Sequence, residues 1–173
     1  MDDEPAPSVA FVALAGASNA ELRDEMLRGH RPDRGRLAGF EYRGVNTAGW
    51  IRAAGADRFV KGFTPDRGYN RRVPRGPLTG PWLPPSKPEP QPFAPFAVTA
   101  VDPEAVDNRY LDALLLDYGP CAKGPLDPAG RLRDYLVAIE EDHSLLLGHA
   151  FFAFGRCRVP ATFFVLERLR PAP

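Results

Sequence analysis

From Gly39 onward, apolar and polar positions follow one another in short runs bounded by Gly, Pro, Asn and Asp, the texture of strands joined by turns. The runs Phe40–Asn46, Arg58–Phe63, Phe96–Val101, Ala113–Tyr118, Leu132–Glu140, Leu145–Phe154 and Thr162–Leu169 predict seven strands, mostly antiparallel because several connectors are too short for a helical crossover. Ahead of them, Ser18 and Glu21 form an S-x-x-E capping box, and Leu22, Met26 and Leu27 share one face before Gly29 and Pro32 end the turn. A helix of about 11 residues must lean on another element to persist. The chain is therefore expected to be mainly β, an antiparallel barrel or strongly curved sheet with one N-terminal amphipathic helix.

The 173 residues suit a single domain over 1–173. Residues 1–8 are acidic and Pro-rich and are expected to fray. The stretch 74–95 is crowded with prolines, which cannot donate to a sheet ladder, and is expected to be an extended surface loop pinned by Trp82 and Leu83. It also carries P-x-x-P spacings at Pro74 to Pro77, Pro81 to Pro84, Pro85 to Pro88 and Pro92 to Pro95, the form a partner domain would read. With 20 Pro and 16 Gly, long helices are excluded.

The 22 basic and 22 acidic side chains cancel, so the chain lacks the positive field that nucleic-acid binding needs. No apolar run reaches the roughly 18 residues of a membrane span. Val9 to Ala17 follows Asp2, Asp3 and Glu4 rather than the basic start of a secretory signal, and a cytoplasmic location is expected. Cys121 and Cys157 are too few for a disulfide framework. Arg outnumbers Lys 19 to 3, a bias associated with GC-rich bacterial genomes.

Splitting each strand into its two tracks shows where polar groups interrupt apolar ones. The tracks Phe59, Lys61, Phe63; Arg133, Tyr135, Val137, Ile139; and Leu145, Leu147, His149, Phe151 each carry one cation or base. Asp117 stands beside Leu115, and Glu167 shares a track with Phe163 and Val165. An inner face of this kind builds a pocket for an amphipathic ligand, with apolar walls for the tail and cations for the head. Lys61, Asp117, Tyr118, Arg133, Tyr135, His149 and Glu167 are the candidate ligand-binding residues. The charged ones are expected to converge on one interior region, because isolated burial would cost several kcal/mol for each. Internal pairing, Arg133 with Asp117 or Lys61 with Glu167, is the alternative. Leu145–Phe154 is apolar on both tracks, so its second face needs the helix, the Pro-rich loop or a second subunit of a homodimer over it.

No Gly-rich phosphate loop, G-x-S-x-G elbow or H-E-x-x-H is present, and no His/Cys cluster suggests a metal. The expected function is a non-enzymatic binding protein for a hydrophobic or amphipathic small molecule such as a fatty acid or other lipid, without a catalytic residue or resident cofactor. A small enzyme is the rival, with His149 as base, Asp117 or Glu167 as its orienter and Tyr118 or Tyr135 as acid. A structural, partner-binding protein is the third class. His30 reads as solvated, His143 as part of a turn after Glu140, Glu141 and Asp142, and His149 first of all as a satisfied core histidine. Arg67, Arg71, Arg72 and Arg75 beside Tyr69 read as an exposed basic loop.

A helix leading into Gly39-Phe40-Glu41-Tyr42, then antiparallel strands, then Phe163-Phe164-Val165-Leu166-Glu167-Arg168, resembles the calycin-like barrels: lipocalins, fatty-acid-binding proteins and nitrobindin-like proteins. Gly39 and Arg168 match the Gly of the lipocalin G-x-W motif and the Arg of its last strand, while Glu41 stands at the Trp position. The resemblance implies a barrel around a small apolar ligand. Through the nitrobindin-like proteins it also implies haem on a late histidine, for which His149 is the residue placed. The blocks Ala113–Gly119 and Leu132–Val137 look like bacterial proteins from which no activity carries over.

Overall fold

The computed structural model describes residues 4–83, 90–124 and 126–173. Eight antiparallel strands close into a barrel in chain order: β1 (Phe40–Asn46), β2 (Arg58–Phe63), β3 (Arg67–Arg72), β4 (Pro92–Ala100), β5 (Leu114–Asp117), β6 (Leu132–Ala138), β7 (Leu145–Phe154) and β8 (Cys157–Pro171). Closure comes from β1 pairing with β8, in register from Phe40 opposite Pro171 to Asn46 opposite Phe164. The mainly β reading holds, and the expected strands are all present.

The eighth strand is β3, expected as an exposed basic loop. Its sequence, Arg-Gly-Tyr-Asn-Arg-Arg, has no apolar run, because its outward side chains pair with charge instead of packing on oil. Arg71 and Tyr69 both reach the buried carboxylate of Glu41, Arg71 Nε at 2.7 Å and the Tyr69 hydroxyl donating at 2.8 Å. The expected Pro-rich loop also ends early, since β4 begins at Pro92. Proline is tolerated there because the β3–β4 register shifts between Gly68 and Asn70, and the Asn70 side chain donates to the Ala94 carbonyl at 3.0 Å. The P-x-x-P at Pro85 to Pro88, and the far proline of Pro81 to Pro84, lie outside the described residues.

The first two helices ahead of the barrel are α1 (Val9–Gly16) and α2 (Asn19–Arg28). The capping box forms as read, Ser18 Oγ accepting from the Glu21 N–H at 3.3 Å and Glu21 accepting from the Ser18 N–H at 2.8 Å. Beyond Arg28 the chain passes so close to β6 that a Cβ at position 29 would lie 2.5 Å from Val137, which requires Gly29. Residues 4–8, expected to fray, instead form a strap. Glu4 accepts from the Trp82 and Leu83 N–H groups, Arg43 donates to the Pro5 carbonyl at 2.7 Å, and Glu167 accepts from the Ser8 N–H at 3.0 Å. Trp82 is fully buried, edge-on to Phe11, with the Arg58 guanidinium 3.9 Å above its ring, so it acts as the expected apolar clip.

This packing gives the barrel two apolar layers. Outside, Phe11, Leu22, Met26 and Trp82 cover Val45, Val60, Tyr135, Val137, Leu147 and Val165. Inside, Tyr42, Phe63, Phe96, Leu114, Leu136, Leu146, Phe164 and Leu166 fill the lumen. The outer face of β7 is thus covered by the chain's own N-terminal helices. A short helix α3 (Arg34–Leu37) precedes β1 and puts Leu37 into the inner layer, while α4 (Gly49–Ala53) follows β1 at the opposite mouth. Among the described residues no helix is long and apolar enough to cross a membrane.

Candidate functional site

The mouth beneath α4 opens into a cavity of about 600 Å³. Phe59, Phe93, Phe152 and Phe164 line its walls, Trp50 and Ile51 of α4 stand over it, and Lys61, Asn70, Tyr118 and Asp134 supply its polar surface. Glycine and alanine make the room: Gly148 lies where any Cβ would strike the Phe164 ring at 2.0 Å, and Ala150 follows it on the same inward track.

Lys61 comes from the middle of β2, Asp134 from β6, and Tyr118 from the residue after β5. Lys61 Nζ donates to the Tyr118 hydroxyl at 2.8 Å and lies 3.6 Å from Asp134 Oδ2. The Tyr118 hydroxyl in turn donates to Asp134 Oδ2 at 3.1 Å. Aromatic rings surround the ammonium, with Phe96 at 4.4 Å and Phe164 at 5.3 Å from their centroids, so its charge is met by π faces instead of water. Asp134 Oδ1 is buried and has no hydrogen-bond partner.

Desolvation dominates the electrostatics. Burial pushes the Lys61 amine down to about 8 against the opposing pull of Asp134. Burial likewise raises the Asp134 carboxyl, which Lys61 and Tyr118 partly restrain. The Tyr118 phenol is held well above its usual value by burial and by the Asp134 charge. All three shifts disfavour charge; they bring the proton affinities of Lys61 and Asp134 closer together than in water, while the phenol of Tyr118 is held protonated.

The candidates read from the sequence separate into different places. Lys61 and Tyr118 line the cavity. Arg133 and Asp117 form an ion pair at 3.0 Å on the half-exposed outer surface, as the internal-pairing alternative held. Glu167 pairs with Arg43 at 3.1 Å, not with Lys61. Tyr135 and His149 belong to the outer layer. The expected convergence of five ionisable groups is therefore corrected, and the cause is the double apolar layer. When helices cover the outside of a barrel, both tracks of a strand are apolar, and alternation cannot say which one faces in. Asp134, missed in the sequence, sits on the track Leu132, Asp134, Leu136, Ala138, which carries one polar group among apolar ones as clearly as the track of Arg133 does.

His149 is a satisfied core residue. Its Nδ1 shares a 2.8 Å hydrogen bond with the Tyr110 hydroxyl, and its ring stacks on Phe163 at 3.8 Å and leans on Phe151 at 4.2 Å. Burial, helped by the positive charge of Arg23, pulls it down to about 4 and keeps it neutral. It does not border the cavity, so the arrangement does not fit haem ligated by His149 in the barrel mouth. His143 is likewise saturated, its Nε2 accepting from the Asp33 N–H at 2.9 Å and its Nδ1 paired with the Glu141 carbonyl at 2.8 Å.

The expectation of a chain without chemistry is overturned by this equipment. A buried amine, carboxylate and phenol in mutual hydrogen-bond reach beside a cavity are the components of an acid–base site. The barrel is a closed, eight-stranded antiparallel one, an architecture consistent with calycin-type barrels in general. Compared with protein-family models, curated proteins and solved structures, the chain matches none.

Proposed function

We propose that the barrel mouth is the active site of a small enzyme that moves a proton on a neutral, largely apolar molecule bearing one carbonyl or hydroxyl group. One observation carries this reading: Asp134 lines the polar end of an apolar cavity with its Oδ1 enclosed and unpartnered, while Oδ2 is held by Tyr118 and Lys61. A carboxylate gripped on one oxygen and free on the other is a positioned base. Lys61 has ammonium protons beyond the one given to Tyr118, and these can meet an oxyanion as it develops.

Charge balance selects among ligands. Lys61 and Asp134 neutralise each other, so a fatty-acid carboxylate would displace a carboxylate already in place and repel it. The aromatic walls and the calycin type of barrel support a hydrophobic or amphipathic body, and the ion pair favours a neutral polar head over an anionic one. The test is deuterium exchange at the acidic C–H positions of pocket-sized aryl and alkyl ketones, followed by NMR. Wild-type protein should catalyse it, and Asp134→Asn should slow it by about a hundredfold or more. Exchange no faster than in buffer for every ketone would remove the reading.

A further inference from the structure

Resting on that active site, we propose that Lys61 also acts as a covalent nucleophile that captures an aldehyde or ketone as a Schiff base. Lys61 lines the cavity from β2, and its Nζ donates to the Tyr118 hydroxyl, which donates in turn to Asp134. Of the other two lysines, Lys123 is exposed and has no such setting.

The step balances within this cluster. Asp134 takes a proton from the Lys61 ammonium, and the freed nitrogen lone pair attacks the carbonyl carbon while the C=O π pair moves to oxygen. The nitrogen, now positively charged and bearing two protons, passes one of them to that oxygen through the Tyr118 hydroxyl, giving a neutral carbinolamine and restoring the nitrogen lone pair. A second proton, passed from Asp134 directly or through the Tyr118 hydroxyl, lets the oxygen leave as water while the nitrogen lone pair forms the C=N bond. One ammonium, one carboxylate and one carbonyl compound become one iminium, one carboxylate and one water. Net charge is unchanged, so the Phe96 and Phe164 faces that hold the ammonium serve the iminium equally well. Burial, which already brings the amine near the physiological range, supplies a reactive fraction without a further group.

The experiment uses the full chain, cinnamaldehyde as the probe and sodium borohydride as the trapping reductant, with peptide mapping by mass spectrometry. Stable, saturable alkylation at Lys61, about tenfold faster than at Lys123, is expected, with Asp134→Asn slowing the rate and not the final extent. Lys61→Arg should abolish the adduct while retaining a native circular dichroism spectrum. Should that variant fail to fold, the comparison between lysines in the wild-type chain decides alone. Entry of the probe is followed separately by ligand-detected NMR with cinnamyl alcohol, which cannot form an imine. Alcohol binding together with an unlabelled Lys61 overturns the nucleophile and leaves the proton-transfer reading standing. Neither binding nor labelling overturns both.

Discussion

Among the described residues, Lys61 with Tyr118 inside the barrel and His149 with the half-buried Tyr110 outside it both join a basic side chain to a tyrosine hydroxyl at 2.8 Å. They solve burial differently. The imidazole escapes the cost of a buried charge by staying neutral, pulled down to about 4, and its ring is packed between Phe163 and Phe151, away from the lining of the barrel-mouth cavity. The ammonium keeps an anionic partner, Asp134, a residue that lines the cavity and keeps one enclosed oxygen without a hydrogen bond. A saturated neutral pair is core packing. A charged pair with spare hydrogen-bonding capacity costs stability, and its value has to be sought in what it does.

The sharpest way to break the contrast is to remove one charge from the inner pair. Lys61→Met leaves Asp134 without its cation in the lumen, and should destabilise the fold by about 3–5 kcal/mol in urea unfolding. A change within about 0.5 kcal/mol would mean that the pair is not charged in the folded state.

Removing both charges should reverse the sign. Lys61→Met with Asp134→Leu replaces the pair by apolar groups in a lumen already rich in Phe and Leu, and should raise stability above wild type by about 1–4 kcal/mol while ketone exchange is lost. The pH dependence gives an independent reading. Between about 8 and 10.5 the unfolded chain holds the Lys61 proton and the folded chain has released it, so wild-type stability rises with pH across that window relative to the double variant. A double variant less stable than wild type would show that the inner pair is structural.

How much of this contrast was legible in the sequence follows from the same physics. The strands were readable because Phe40–Asn46, Leu132–Ala138 and Leu145–Phe154 alternate or run apolar between turn residues. The capping box of α2 is purely local, and it formed as read. Lys61 stands out as a lone polar group on an apolar track, whereas Tyr118 enters as the acid of the rival enzyme reading. The pattern does not favour Asp134 over Arg133, since both tracks of β6 are covered, one by the lumen and one by the N-terminal helices. Strand β3 was invisible because its outward side chains satisfy Glu41. Nothing in residues 4–8 announces the strap, which exists only because Trp82, Arg43 and Glu167 converge from distant parts of the chain.

The outer pair is tested by acid. Below about 6.5 the unfolded chain protonates His149, whereas the folded ring stays neutral to about 4, so the unfolded state binds more protons and stability falls as pH drops through that window. With allowance for solvent screening, the loss should be about 2 kcal/mol. His149→Phe, which can keep the stack on Phe163, should flatten this slope, while the inner-pair variants should keep it. Parallel slopes for wild type and His149→Phe in urea titrations from pH 7 to 4 would place the acid sensitivity elsewhere.

The smallest effect separates the two tyrosines directly. Tyr110→Phe deletes one hydrogen bond to a neutral ring in a partly buried setting, which should cost about 1 kcal/mol, because the lost bond is exchanged against water and nothing charged is orphaned. It touches no wall of the cavity, so ketone exchange and aldehyde trapping should proceed at wild-type rates. Tyr118→Phe makes the same chemical change at the inner pair, yet it removes the acceptor for Lys61 and the donor to Asp134 together. Exchange should then fall by about tenfold or more even where the stability loss is as small as that of Tyr110→Phe. The informative quantity is the ratio of activity loss to stability loss. If the two phenylalanine variants share that ratio, the cavity gives Tyr118 no role that Tyr110 lacks, and proton transfer at Asp134 would have to proceed without help from the phenol.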